Sequence, residues 1–432
     1  MHKTWRNKMK NVLILFFLLL LTEMTFASDF DVYGKIGMAG WFMRAERFYA
    51  DTIKKIDTIV IDTTNGQKDT TWETVKGKDT IPTNTTIMKP AGYLGIKFKG
   101  DRFGGGVEMG VRHNSYATNL FNPKTAVYLG FQKHSFFLTV NAFYFEWYAN
   151  NYMTITVGKY DTPINFYGSN NHAFNGGTRL QNVGFVSLWE KPMIQVSVHN
   201  ADKTIVGKIA AVKIDTSSFD YNNKSSPETI YRCETKMPKF EGSFAANFEK
   251  DFFAFNGKIG GGFLQYKSVI IDPSEPKHKI DISSWLLAGD FGVKLGWVKL
   301  AIDLCGGQNI GVYGVPVGDV FGWWRFFDFM LPFFPIHSKE VFNGRVFEIA
   351  GRINVKPWDN LFFETGGGTI RGTHDYKDYE KRWEPTYAWY TQTEVKVFEH
   401  LTITPEVGQY IYGKHCGFGR YFYAGLNAAV KF

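Results

Sequence analysis

Apolar residues recur at every second position from Phe30 to the end of the chain, and this period of two limits what the chain can fold into. Val32, Gly34, Ile36, Met38 and Gly40 alternate with Tyr33, Lys35, Gly37 and Ala39. Leu94, Ile96 and Phe98 alternate with Gly95, Lys97 and Lys99, and Val107, Met109 and Val111 with Glu108, Gly110 and Arg112. Phe347, Ile349, Ile353 and Val355 alternate with Glu348, Arg352, Asn354 and Lys356. Successive side chains of a strand point to opposite faces, so each segment reads as a strand with one apolar face and one face of glycine, amide and charge. A soluble sandwich would press the apolar face against a second sheet. A membrane barrel instead turns it to lipid, where every backbone polar group must be paired internally and only closure removes the sheet edges.

Composition agrees. The chain holds 40 Phe, 22 Tyr, 12 Trp and 44 Gly, which favours strands, tight turns and interfacial aromatic girdles. A mean hydropathy of −0.21 is what alternating lipid-facing and lumen-facing residues average to. The one long apolar run, Val12–Leu21, follows Lys3, Arg6, Lys8 and Lys10 and precedes Thr25-Phe26-Ala27. It is too short to span a bilayer as a helix and reads as a secretory signal peptide, 1–27, cleaved near Ala27. The mature part, 28–432, is then expected in the outer membrane of a Gram-negative-type bacterium. Its mild positive charge, with secretion, argues against nucleic acid as a partner. Cys233, Cys305 and Cys416 are odd in number and cannot form a complete disulfide framework. Cys233 and Cys416 both fall in loop-like segments, so a bridge between them and free thiols both stay open.

The connections are asymmetric. Short ones include 100–104, 357–360 and 398–400; long ones lie near 50–90, 114–124, 161–181, 201–238, 310–344 and 373–382. Short turns on the periplasmic side and long extracellular loops are the outer-membrane arrangement. The predicted fold is therefore all-β: a transmembrane antiparallel β-barrel of 16 strands, with 18 as the alternative. The choice hangs on 125–160, where three strand-like runs compete for two places, and on 204–214, either an added strand or a hairpin above the membrane. Pro405, inside the strand 401–412, removes a ladder donor.

Four segments carry a family resemblance. The end of the chain sets Phe422, Ala424, Leu426, Ala428, Val430 and Phe432 on one face, similar to the C-terminal signal of outer-membrane barrels. That likeness implies that Phe432 is read by the barrel-assembly machinery. Residues 93–107, Tyr-Leu-Gly-Ile-Lys-Phe-Lys-Gly-Asp-Arg-Phe-Gly-Gly-Gly-Val, resemble the early hairpin of Gram-negative trimeric porins. Thr154–Pro163 resembles the porin strand that runs into the inward-folded loop, and Arg179–Phe185 the strand that returns from it. The resemblance implies a 16-stranded barrel, a homotrimer in outer-membrane lipid, and passive diffusion of small hydrophilic solutes or ions. It also implies that 161–181 folds inward and narrows the pore.

A passive pore has no catalytic residues; its chemistry is field and diameter. The candidate pore-lining residues are Lys97, Lys99, Glu108, Arg112, Lys159, Asp161, Arg179, Arg352, Glu394, Lys396 and Glu406, with Asp161 on the acidic side of the constriction. Bases outnumber acids in this set, which suggests a weak preference for anions. Trp323, Trp324, Phe326 and Phe327 belong to an aromatic segment, 320–336, broken by Pro332 and Pro335. It reads as a loop packed on the rim or lipid interface, or as a platform on which sugar rings stack in a selective saccharide channel. The spaced acids Asp51, Asp57, Asp62, Asp69 and Asp79 lack the fixed spacing of a calcium loop and read as a polar surface loop. No metal or cofactor is expected. Hydrolase, zinc-protease and phosphate-loop motifs are missing from the sequence, so an enzyme is not the expected class. A surface-exposed adhesin or structural barrel is the other alternative.

Overall fold

The computed structural model describes residues 29–46, 53–61, 68–75, 82–113, 136–164, 166–167, 185–186, 191–213, 221–222, 230–235, 237–271, 278–310, 344–374, 384–411 and 420–432. Among them sixteen strands form one closed antiparallel ring. They are β1 (Asp29–Glu46), β2 (Pro82–Lys99), β3 (Phe103–His113), β4 (Phe136–Asn150), β5 (Met153–Tyr160), β6 (Lys191–His199), β7 (Ile205–Val212) and β8 (Lys239–Lys250). The second half is β9 (Phe253–Ile271), β10 (His278–Leu295), β11 (Val298–Gln308), β12 (Gly344–Trp358), β13 (Leu361–His374), β14 (Glu384–Lys396), β15 (Leu401–Ile411) and β16 (Arg420–Lys431). Each pairs with the next, and β16 returns to β1 with Lys431 opposite Lys35.

The strand count settles as follows. The segment 204–214 is a barrel strand, β7, paired with β6 and β8. Among the described residues 125–160 supplies two strands, β4 and β5. A short hairpin, Tyr221–Asn222 with Ile230–Glu234, adds to the overhanging end of β9 without entering the ring. Two expected loops are corrected. The long connection after β6 does not begin at 201, because 200–204 is a tight hydrogen-bonded turn. Asn200 Oδ1 accepts from the Ile205 amide at 2.8 Å, and Asp202 Oδ1 from the Thr204 hydroxyl at 3.0 Å. The connection after β1 contains its own hairpin, Ile53–Ile61 with Lys68–Val75, and β2 begins at Pro82.

Seven short turns mark one rim: 100–102, 151–152, 200–204, 251–252, 296–297, 359–360 and 397–400. Two-residue hairpins need a left-handed residue, and Asp251 (φ 46°) and Gly296 (φ 57°) supply it. Exposed aromatics crowd this rim: Tyr152, Phe252, Trp297, Trp358 and Phe398. Such side chains settle where hydrocarbon meets headgroups. Above them the outer face is apolar, with Ile36, Ile194, Ile209, Phe244, Leu287 and Leu426 all exposed. An exterior of this kind is solvated by lipid, so the alternation expected from sequence is that of a membrane-spanning wall.

Closure has a local device. The Gly34 amide donates to the Phe432 carbonyl at 2.8 Å and the Phe432 amide returns a bond to the Gly34 carbonyl at 3.1 Å. A Cβ on Gly34 would stand 2.6 Å from the Phe432 ring, so the missing side chain is what lets the ring lie across the seam. Pro405 acts as expected: β15 keeps its pairing to β16, but its pairing to β14 is interrupted between Gln392/Glu406 and Val395/Ile403.

Candidate functional site

The inner wall follows from register. A strand with its apolar residues outward must turn the intervening positions inward, and paired residues share a face. Asp290, Asp303 and Arg352 meet on this wall, on β10, β11 and β12. Asp290 and Asp303 face each other in the ladder. The Arg352 guanidinium donates through Nη2 to Asp290 at 3.3 Å and through Nη1 to Asp303. All three side chains are nearly buried. Lys239 and Glu241, alternate residues of β8, form a second buried pair at 2.6 Å.

Tyrosines line the wall in a repeated way. The Tyr33 hydroxyl donates to Glu108 at 3.0 Å, and Tyr33, Gly95 and Glu108 occupy one row across β1, β2 and β3. A Cβ on Gly95 would stand 2.3 Å from the Tyr33 ring. Tyr390 lies likewise over Gly366 and donates to Glu364 at 2.5 Å; Tyr423 lies over Gly408 and donates to Glu406 at 2.9 Å. Glycine at these lumenal positions lets an aromatic ring lie flat on the neighbouring strand and reach a carboxylate.

The expected pore-lining residues are distributed unevenly. Glu108 accepts from Tyr33 and from the Asn141 amide at 3.0 Å. Lys97 is lumenal and exposed, with its ammonium 4.4 Å from the centroid of the Tyr33 ring. Lys99 and Lys396 share the lumenal parity but stand exposed at the short-turn rim. Arg352, Glu394 and Glu406 occupy inward positions on β12, β14 and β15. Lys159 is not lumenal. It has the parity of Ile155 and Val157, and its ammonium donates to the Val140 carbonyl beside the register shift of β4. The strand period outweighs the charge here. Arg112 belongs to β3, but its side chain, with Arg179, Trp323, Trp324, Phe326 and Phe327, lies outside the described residues.

Asp161 leaves β5 within electrostatic reach of Lys208 on β7 and Lys258 on β9. Beyond it Thr162, Pro163 and Ile164 are buried, Ile164 completely. Phe166–Tyr167 pairs with Phe185–Val186; the first backbone approaches β10 and the second β11. The sequence reading missed Glu146, Lys208, Glu241, Lys258, Asp290, Asp303, Glu348 and Glu364. Their signal was the same alternation, visible in Lys239-Phe240-Glu241 and in Asp303-Leu304-Cys305. Cys305 is buried on β11 as a free thiol, and the side chains of Cys233 and Cys416 are outside the described residues.

No protein-family model matches the chain, and no curated protein matches it in sequence. Solved structures do. The outer membrane channel DcaP of Acinetobacter baumannii superposes with a TM-score of 0.58 at 13% identity, covering 94% of this chain and 97% of that one. The chain has the fold of outer-membrane porins. OprB of Pseudomonas putida is similar as well, with a TM-score of 0.51 at 11% identity over 93% of this chain and 94% of that one. In this fold the seven short turns gather at one rim, and the described charges lie on the inner wall of the ring.

Proposed function

We propose that this porin-fold chain is an outer-membrane channel through which small hydrophilic solutes and ions diffuse passively. One observation carries the reading: the closed ring separates an apolar exterior from an inner wall of carboxylates, ammonium groups and a guanidinium. Charges on an enclosed wall order water and set ion preference, whereas an adhesin needs no such lining. The segment 161–181 is proposed as the constriction. Supporting this, β5 stands five and six strands round the ring from β10 and β11, which the backbones of 166–167 and 185–186 approach, and Ile164 is fully buried. Secretion with cleavage near Ala27, insertion by the barrel-assembly machinery through Phe432, and a homotrimer in outer-membrane lipid complete the proposal.

Planar-bilayer recording of the purified mature chain tests it. Stepwise conductance is expected, and an absence of steps from correctly folded protein refutes the channel. Replacing Asp161 by Asn should alter ion selectivity; an unchanged reversal potential would count against 161–181 as the constriction.

A further inference from the structure

A belt of the inner wall carries its charges in four arcs of alternating sign; the buried Lys239–Glu241 pair on β8 is internally neutral, and Lys99, Lys294, Lys299 and Lys396 stand nearer the short-turn rim. Lys35 and Lys431 face each other at the seam of β1 and β16, and Lys97 on β2 continues this basic arc, with Asp31 opposite Lys97. Glu108, Glu146 and Asp161 make an acidic arc on β3 to β5. Lys208 and Lys258 restore positive charge on β7 and β9. From β10 to β15 the wall is acidic again, through Asp290, Asp303, Glu364, Glu394 and Glu406, with Arg352 held between the two aspartates. Most of these positions lie a few residues above the short turn of their hairpin, so they form a belt rather than a gradient along the axis.

Opposite charges interact across the four borders. Lys35 lies within electrostatic reach of Glu394, Lys208 of Asp161 and Glu146, and Lys258 of Asp290. Lys97 reaches Glu108 through Tyr33, which meets the ammonium with its ring and the carboxylate with its hydroxyl.

Two acidic arcs on opposite sides of a ring, crossed by two basic ones, make a quadrupole. Its field cancels near the axis and is strongest at the borders. An ion of one sign is attracted by two arcs and repelled by two, and the excess of named carboxylates over bases tilts the balance toward cations. A solute bearing both signs matches every border, its ammonium end on the acidic arc and its carboxylate end on the basic one. We propose that this channel favours zwitterionic solutes, of the free amino acid class, over neutral solutes of equal size and over anions. The inference rests on the channel reading above.

Alanine and its neutral isomer lactamide separate charge from size. Purified mature protein in liposomes should pass alanine about threefold faster than lactamide, after subtraction of protein-free liposomes. A potassium chloride gradient across a planar bilayer should give a small reversal potential on the cation-selective side. Equal rates for the two isomers in a conducting channel would overturn the quadrupole inference alone; no flux and no current would overturn the channel reading with it. Lys208→Gln with Lys258→Gln merges the two acidic arcs, so the alanine preference should vanish and cation selectivity rise. Should that pair prevent folding, Lys35→Gln, Lys97→Gln and Lys431→Gln together merge the arcs on the other side with the same expected loss. A conducting variant that keeps the full preference refutes the proposal.

Discussion

Arg352→Met removes the one base between two carboxylates that the ladder sets face to face. Directly paired residues have Cβ atoms about 5 Å apart. At that separation and an effective dielectric of about 20, two negative charges repel by roughly 3 kcal/mol. The three side chains are only 8%, 12% and 9% exposed, for Arg352, Asp290 and Asp303, so water cannot replace the guanidinium. Breaking a buried pair by deleting one partner costs about 3–5 kcal/mol, the same range. Methionine keeps most of the stem volume, which leaves charge as the main change. Urea unfolding in lipid vesicles, followed by tryptophan fluorescence, should therefore show Arg352→Met destabilised by about 3 kcal/mol. Adding Asp303→Asn should return about half of it, since only one carboxylate then remains. A single-variant loss under about 1 kcal/mol, or no recovery in the double variant, would show that the wall is wet enough to screen the pair.

Three further outcomes follow from the same wall. Gly34→Val should weaken the seam by about 1–3 kcal/mol by pushing the Phe432 ring aside, and should cost less in a Phe432→Ala background; equal costs in both backgrounds would reject the contact. Gly158 adopts φ +132°, and a Cβ there would stand 2.3 Å from the Phe143 carbonyl oxygen, so Gly158→Ala should lower the urea midpoint; an unchanged midpoint contradicts the backbone reading. The Asp202 carboxyl, in a short turn, is held below the usual carboxylate range by hydrogen bonds from the Thr204 hydroxyl and amide. Its contribution is thus present above the unfolded value of about 3.9 and lost as pH falls through the lower folded value. NMR titration of Asp202 in micelles should show that depressed value, and Thr204→Val should raise it.

The sequence made the fold legible because a barrel wall has one rule, inward and outward by turns, and β1, β2, β3, β12 and β16 obey it openly. Turns rich in Gly, Asp and Asn were visible at 100–104 and 357–360. The turn at 200–204 was not, since Ala201 and Lys203 carry no special signal and its geometry comes from the Asn200 and Asp202 side chains. The site was less legible for a similar reason. Among the inward candidates read from alternation, Lys159 shares the parity of Ile155 and Val157, and Lys208 and Lys258, which sit among apolar neighbours, do not appear. Which inward charges become partners depends on strands far apart in sequence, as with Arg352 and Asp290, and no local pattern reports that.

The seam joins residue 34 to residue 432. Every other hairpin of the ring can pair as soon as both of its strands are available, but β1 gains its partner β16 only when the last segment arrives. Until then the nascent sheet has two unsatisfied borders and an apolar face with nothing to cover it, a state prone to stick to its own kind. Folding of this chain is therefore expected to be late and all-or-none. Loss of the final strand would leave no smaller ring to fall back on, only an open ribbon that the membrane cannot accept.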